Sequence, residues 1–365
     1  MAQSQVATGL TVKQWDDEFF MEYMQDNAFT RYMGTKENAI IQVKEDLKTK
    51  KGNKIAFALV NRLRQDPILG SSMLEGNEEA LVSRSHEVTI NQRRNGVLVP
   101  DFEDQKSAID LREAARAALK DWTMEDTRDL IIEALASVCT SAGVNVAYAS
   151  ATEAEKDAWL VDNADRVLFG AVKSNNSSND HSASLANVDG TTDKFLPAAL
   201  KVMKRMALTA SPKIRPITVE GGKRFFVAFA HPYCFRDFNN DDAIKLTQRD
   251  TIIRMQNIKL FEGGDAEIDG IIVHEVDDIP VLDGVGAAAI DVAPVFLCGA
   301  QALGMAWGKR WQTKTKLFDY DDKYGVAVRA WMDVDKLFFG SGAGDTTDPK
   351  QNGVVTGYFA CVADS

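Results

Sequence analysis

Histidine and cysteine are scarce in this 365-residue chain, which has four of each, and no long hydrophobic run interrupts it. A membrane-spanning helix needs about 18–20 consecutive apolar residues, and no such run occurs. The start, Met1-Ala-Gln-Ser-Gln-Val, has no charged region leading into an apolar one, so no secretory signal is expected. Cys139, Cys234, Cys298 and Cys361 lie far apart without C-x-x-C spacing. They are expected to be reduced thiols packed in apolar surroundings. A net charge of −11 speaks against the chain as a whole gripping nucleic acid.

Catalytic and metal motifs are equally sparse. His231-Pro-Tyr-Cys234 offers two soft ligands, but His86, His181 and His274 stand in unrelated contexts, and zinc needs three or four converging donors. Asp237-Phe-Asn-Asn-Asp241 imitates the start of a calcium loop. Asp242 then occupies the glycine position and Gln248 the closing glutamate position, so the stretch is expected to cap a following helix. Gly340-Ser-Gly-Ala-Gly344 lacks the Lys-Ser/Thr of a phosphate loop and is followed by Asp345. No G-x-S-x-G elbow occurs. Neither a cofactor nor an enzymatic activity is expected, although a site assembled only in space leaves a cytoplasmic α+β enzyme as the alternative.

What is present is organisation. The length predicts more than one lobe. From Thr11, the residues Trp15, Phe19, Phe20, Tyr23, Met24 and Phe29 recur near a 3.6 period, which predicts an amphipathic helix. Ile55, Phe57 and Leu59 alternate as in a strand, and Glu87–Ile90 with Gly96–Val99 predict a return broken at Asn95-Gly96. Some twenty irregular residues between them predict a protruding loop. Asp101–Val138 predicts a long helix, interrupted near Trp122–Thr123. Further on, strands are expected at 167–169, 224–230, 268–276, 314–339 and 353–363, and helices at 195–209, with Pro197 in a first turn, and 241–257. The far C-terminal strands are expected to join the long helix.

Charge is segregated along the chain. Residues 36–64 carry eight bases against three acids, whereas 101–133 carry ten acids against five bases. Such blocks suit pairing between copies, with Arg62 and Arg64 of one meeting Glu113 and Asp126 of another. Trp15, Phe19 and Tyr23 are the matching candidates for an aromatic arm contact.

The stretch Cys298–Gln312, with Gly299, Gly304 and Gly308 among small and large apolar residues, is followed by Lys314–Tyr320 and Gly325-Val-Ala-Val. Upstream, Gly52-Asn-Lys-Ile-Ala-Phe and the 101–138 block fall in order. Together these resemble the tailed-bacteriophage major capsid proteins of the Hong Kong 97-type fold. The resemblance implies an α+β subunit with an N-terminal arm at 1–45 and an extended β loop at 46–100. A peripheral domain would combine the long spine helix, 101–143, with 313–365, and an axial domain, 144–312, would be inserted between them. It implies self-assembly as hexamers and pentamers into an icosahedral virion shell, built in the host cytoplasm, beside a portal protein. Double-stranded DNA would be enclosed and contacted only weakly and non-specifically. The short stretch ahead of the aromatic helix implies a separate scaffolding protein; a decoration protein outside the shell stays open. A tail or connector protein is the remaining structural alternative. No cross-linking lysine–asparagine set is assigned.

Overall fold

The computed structural model describes residues 29–45, 47, 52–60, 65–70, 73–79, 83–106, 111–140, 142–218, 222–241, 266–341 and 347–364. Two sheets organise them. The first has five strands in the order Met33–Gly34, Ile41–Lys44, Leu303–Phe318, Lys323–Lys336, Asn91–Pro100. Along Lys323–Lys336, Val326, Val328, Ala330 and Met332 are buried while the intervening residues face the other way, the period of two that a strand imposes. Those inward side chains pack with Leu119, Leu130, Ile131 and Leu135 of the long helix Leu111–Ala136 in one core. Trp122 meets Trp311 edge-on at 5.8 Å.

The helix runs unbroken through Trp122–Thr123. Thr123 is fully buried and its hydroxyl donates to the Lys120 carbonyl at 2.7 Å, so it satisfies itself inside the helix instead of capping a new one. The return strand is not broken at Asn95-Gly96 either. Gly96 lies opposite Ala327, where an added Cβ would come within 3.1 Å of the alanine methyl. The break falls at Ile90, between Ser83–Thr89 and Asn91–Pro100.

Lys54–Val60 pairs with Ser83–Thr89 as the separate hairpin that the alternation predicts. Ile55, Phe57 and Val88 root it against Ala306 and Leu337. The stretch 29–44 is part of the body, not an arm: Phe29 is 1% exposed and lies 4.8 Å from Phe229, and Ile41–Lys44 is a strand of the first sheet. The predicted aromatic helix lies outside the described residues.

The second sheet runs Ala266–Ile268, Ile271–Glu275, Arg224–Ala230, Val292–Cys298, Val354–Ala360, Val167–Phe169, with Ile217–Thr218 added to Arg224–Ala230. Its seven-residue strand Val354–Ala360 is buried throughout and sits between Val292–Cys298 and Val167–Phe169. The far C-terminus therefore belongs with the segment around 144–300 and not with the long helix. Only the Lys323–Lys336 and Leu303–Phe318 part of the expected C-terminal group lies on the helix, and the latter strand begins before residue 313.

The helix Pro197–Thr209 opens on its proline as predicted, and buries Leu200, Met203 and Met206 on this sheet. His231 directly follows the strand Arg224–Ala230 and is the N-cap of a short helix, Pro232–Asn239, so Asp237 and Asn239 lie within a helix. The expected strand 268–276 is two, folded at Asp269-Gly270, both in left-handed backbone. The predicted helix 241–257 falls outside the described residues beyond Asp241.

Candidate assembly surfaces

Chemistry-bearing side chains in the body are tied into the architecture. Glu153, Asp157 and Asp180 bring carboxylate oxygens within 4.8 Å of one another. Asp180 caps the helix His181–Leu185 through the Ala183 N–H at 2.8 Å, and Asp157 accepts the His181 N–H at 2.7 Å. The four cysteines are free and buried. Cys361 Sγ lies 3.4 Å from His231 Nδ1, beside the Cys234 thiol, whose hydrogen bond draws Cys361 down from the usual thiol range. Lys336 is buried with its Nζ donating to the Ser137 carbonyl at 2.6 Å, and burial pushes its pKa down to about 7.

The residues singled out for contacts between copies are scattered. Trp15, Phe19, Tyr23, Arg62 and Arg64 lie outside the described residues. Glu113 is exposed in the first turn of the long helix. Asp126 is already engaged within its own subunit: Arg93 donates to it through Nε at 2.6 Å and through a second guanidinium nitrogen. That bond holds the Arg93 pKa above its ordinary value. Asp126 is therefore a clamp between helix and sheet, not an open contact for a neighbour.

Two surfaces do face outward. On the helix, Asp121, Glu125, Asp129 and Glu133 repeat at every fourth residue and all are exposed. Like charges at that spacing repel along a helix face. On the side of the first sheet away from the helix, the pairing register aligns Arg94 with Arg329 and places Lys314 opposite Ala327 and Lys316 opposite Gly325. Lys309 completes this set, its ammonium 4.7 Å from the Trp331 ring centre. The adjoining positions, Gln92, Gly96, Leu98 and Gln312, carry no acid. Among the described residues none of these five cations has an ion-pair partner, and the Arg329 Nε is buried without a hydrogen bond. Lys314 and Lys316 hint at this face in sequence by their alternation. Arg94 and Arg329 join it only through strand register, which no linear stretch displays.

The chain matches the family model described as phage capsid protein over residues 4–363. It is 26% identical over 329 residues to a major capsid protein of Pseudomonas phage KPP25, covering 86% of each chain. Among solved structures it is similar to the cyanophage Pam1 capsid asymmetric unit, with a TM-score of 0.81, 32% identity and 100% of both chains covered. The capsid of Ralstonia phage GP4 shares the fold at a TM-score of 0.74 and 23% identity, over 92% of this chain and 91% of that one. The chain belongs to the phage capsid protein family and is a tailed-phage major capsid protein of the Hong Kong 97-type fold.

Proposed function

We propose that this chain builds the icosahedral shell of a tailed phage by repeated contact with copies of itself, as hexamers and pentamers. The observation that carries this is the likeness to the Pam1 capsid chain from end to end, at 32% identity. In this reading the helix Leu111–Ala136 and the first sheet are the peripheral unit, with the helix as its spine. The second sheet, including Val354–Ala360, is the axial unit gathered around the symmetry axes. The hairpin rooted by Phe57 is the base of the extended loop, and the residues ahead of Phe29 are the arm. A protruding hairpin and segregated charge serve a lone subunit poorly and suit one that meets several neighbours.

Individual contacts in such a shell are weak and their number supplies the stability, with an exposed ion pair contributing about 0.2–1 kcal/mol. Assembly takes place in the host cytoplasm with a separate scaffolding protein and a portal, and the enclosed DNA is touched weakly and non-specifically. Negative-stain electron microscopy of the chain, expressed with and without its scaffolding partner, tests the proposal. Closed shells or rings of five and six subunits are expected. A monomer or small dimer under both conditions would refute it, and open tubes would point to a tail protein.

A further inference from the structure

The cysteines are divided among three of the apolar cores, and only two of them share one. Cys139 packs with Trp159 and Leu160, and Cys298 with Phe229 and Leu303, whereas Cys234 and Cys361 lie in one cluster against the second sheet. Cys234 stands in the first turn of the helix Pro232–Asn239, and Cys361 directly follows the strand Val354–Ala360. Their thiols are hydrogen-bonded to each other. The backbone on either side of Cys361 is held. Its own N–H donates to the Asp291 carbonyl at 2.8 Å, and Arg236 of the helix donates to the Val362 carbonyl at 3.0 Å and pairs with Asp364.

His231 adds a third group. Its Nδ1 lies 3.4 Å from the Cys361 sulfur and accepts the Tyr233 N–H at 3.3 Å, so that nitrogen carries no proton of its own. Thiol, thiol and imidazole form a row with Cys361 in the middle. A metal needs donors that converge on one point. Among the described residues, only Glu153, Asp157 and Asp180 bring three such donors within 4.8 Å of one another. A row suits thiol chemistry instead. The hydrogen bond from Cys234 draws the Cys361 pKa down to about 6 against its burial, and His231 adds to the effect. The same bond pushes Cys234 up. One sulfur is thereby prepared as a nucleophile while the other is kept as a thiol.

We propose that Cys234 and Cys361 are a peroxide-sensitive dithiol that closes to a disulfide within one chain. Cys361 gives its proton to His231 Nδ1, and its thiolate attacks one oxygen of hydrogen peroxide. The O–O bond breaks, the sulfur becomes a sulfenic acid, and the departing hydroxide takes the proton from His231 and leaves as water. The Cys234 sulfur then attacks Cys361. The S–S bond forms, the S–O bond breaks, and the released hydroxide takes the Cys234 proton as a second water. Two thiols are oxidised and one peroxide is reduced. Cys361 is 1% exposed, so a small peroxide fits this site better than oxidised glutathione, which would have to join Cys361 in a bulky mixed disulfide. The new bond ties the end of Val354–Ala360 to the helix Pro232–Asn239 and restricts the unfolded chain. On the shell-building reading, the pair stays reduced in the cytoplasm and closes once particles reach an oxidising medium. The thiol chemistry itself does not depend on that reading.

The test treats the purified full chain, reduced and desalted, with hydrogen peroxide and in a parallel arm with equimolar oxidised glutathione. Remaining thiols are alkylated in denaturant, and unreduced peptides are mapped by mass spectrometry. A linked Cys234–Cys361 peptide that dithiothreitol reopens is expected in the peroxide arm, with Cys139 and Cys298 still alkylated. In Cys234→Ser the reaction should stop at the sulfenic acid, trapped on Cys361 by dimedone. His231→Asn keeps a capping side chain and should slow closure by about tenfold or more. The linked chain should melt at a higher temperature than the same chain after dithiothreitol. Four free thiols after peroxide would overturn the proposal, as would linkage of any other pair. Faster closure with oxidised glutathione than with peroxide, an unchanged rate in His231→Asn, or a linked chain that melts no higher would also overturn it. Because the free subunit is used, failure to form shells would defeat the capsid reading and leave this result standing.

Discussion

Arg93 and Asp126 join the edge strand of the first sheet to the middle of the long helix through two hydrogen bonds to one carboxylate. The acid is largely buried and the guanidinium about one-third exposed. Two-point geometry of this kind fixes orientation as well as distance. Asp126→Ala should lower subunit stability by about 1.5–3 kcal/mol, the range for hydrogen bonds to charged groups. Urea unfolding of the unassembled subunit would show this as a lower midpoint with an unchanged slope.

Lys336 should make stability depend on alkaline pH. Burial lowers its folded-state pKa to about 7 from an ordinary 10.5, so between these values the unfolded chain binds more protons than the folded one. Stability therefore rises as pH increases from about 7 towards 10.5. Asp335, Cys139 and Cys298 act against this shift, but less strongly than burial. Lys336→Met should flatten that rise, although the Ser137 carbonyl loses its donor. Denaturation midpoints across the window would check the slope.

His181 should govern the acid side. It lies among Tyr148, Phe169 and Tyr358, with ring centres 5.4–5.7 Å away, and its Nε2 is buried without a hydrogen bond. Burial pulls its pKa down from 6.5 to about 4. The stability this neutral ring supports is present above 6.5 and is lost as pH falls towards 4. His181→Phe should remove that loss, read as a smaller drop in melting temperature between pH 7 and pH 4.

Phe57 should anchor the hairpin. It is 1% exposed, packed with Ala306 and Leu337, and Lys44 lies 4.7 Å over its ring. Truncating a buried phenylalanine costs about 3–5 kcal/mol. Phe57→Ala should free the hairpin before the rest unfolds, so limited proteolysis should cut between Gln65 and Glu79 faster while the second sheet stays protected.

Local pattern carried much of the architecture. Ile55 and Phe57 announce the hairpin by alternation, Pro197 marks a helix start, and the apolar positions of 111–136 trace the buried stripe. Two local signals misled for identifiable reasons. Asn95-Gly96 has turn chemistry, but the glycine serves close approach to Ala327, a fact of register. Thr123 with Asp126 imitates a cap, yet Thr123 bonds back to Lys120 and Asp126 goes to Arg93. The grouping of Val354–Ala360 with Val292–Cys298 and Val167–Phe169 depends on pairings that span up to about 190 residues, which periodicity cannot report. The basic sheet face was hidden for the same reason.

The place of Val354–Ala360, between Val292–Cys298 and the edge strand Val167–Phe169, has a consequence for synthesis. The strands on either side of it stay unpaired along those edges until Val354–Ala360 has been made. A chain stopped before Val354 therefore leaves Val167–Phe169 cut off from the rest of its sheet. Synthesis of this one late strand becomes a condition for closing the second sheet.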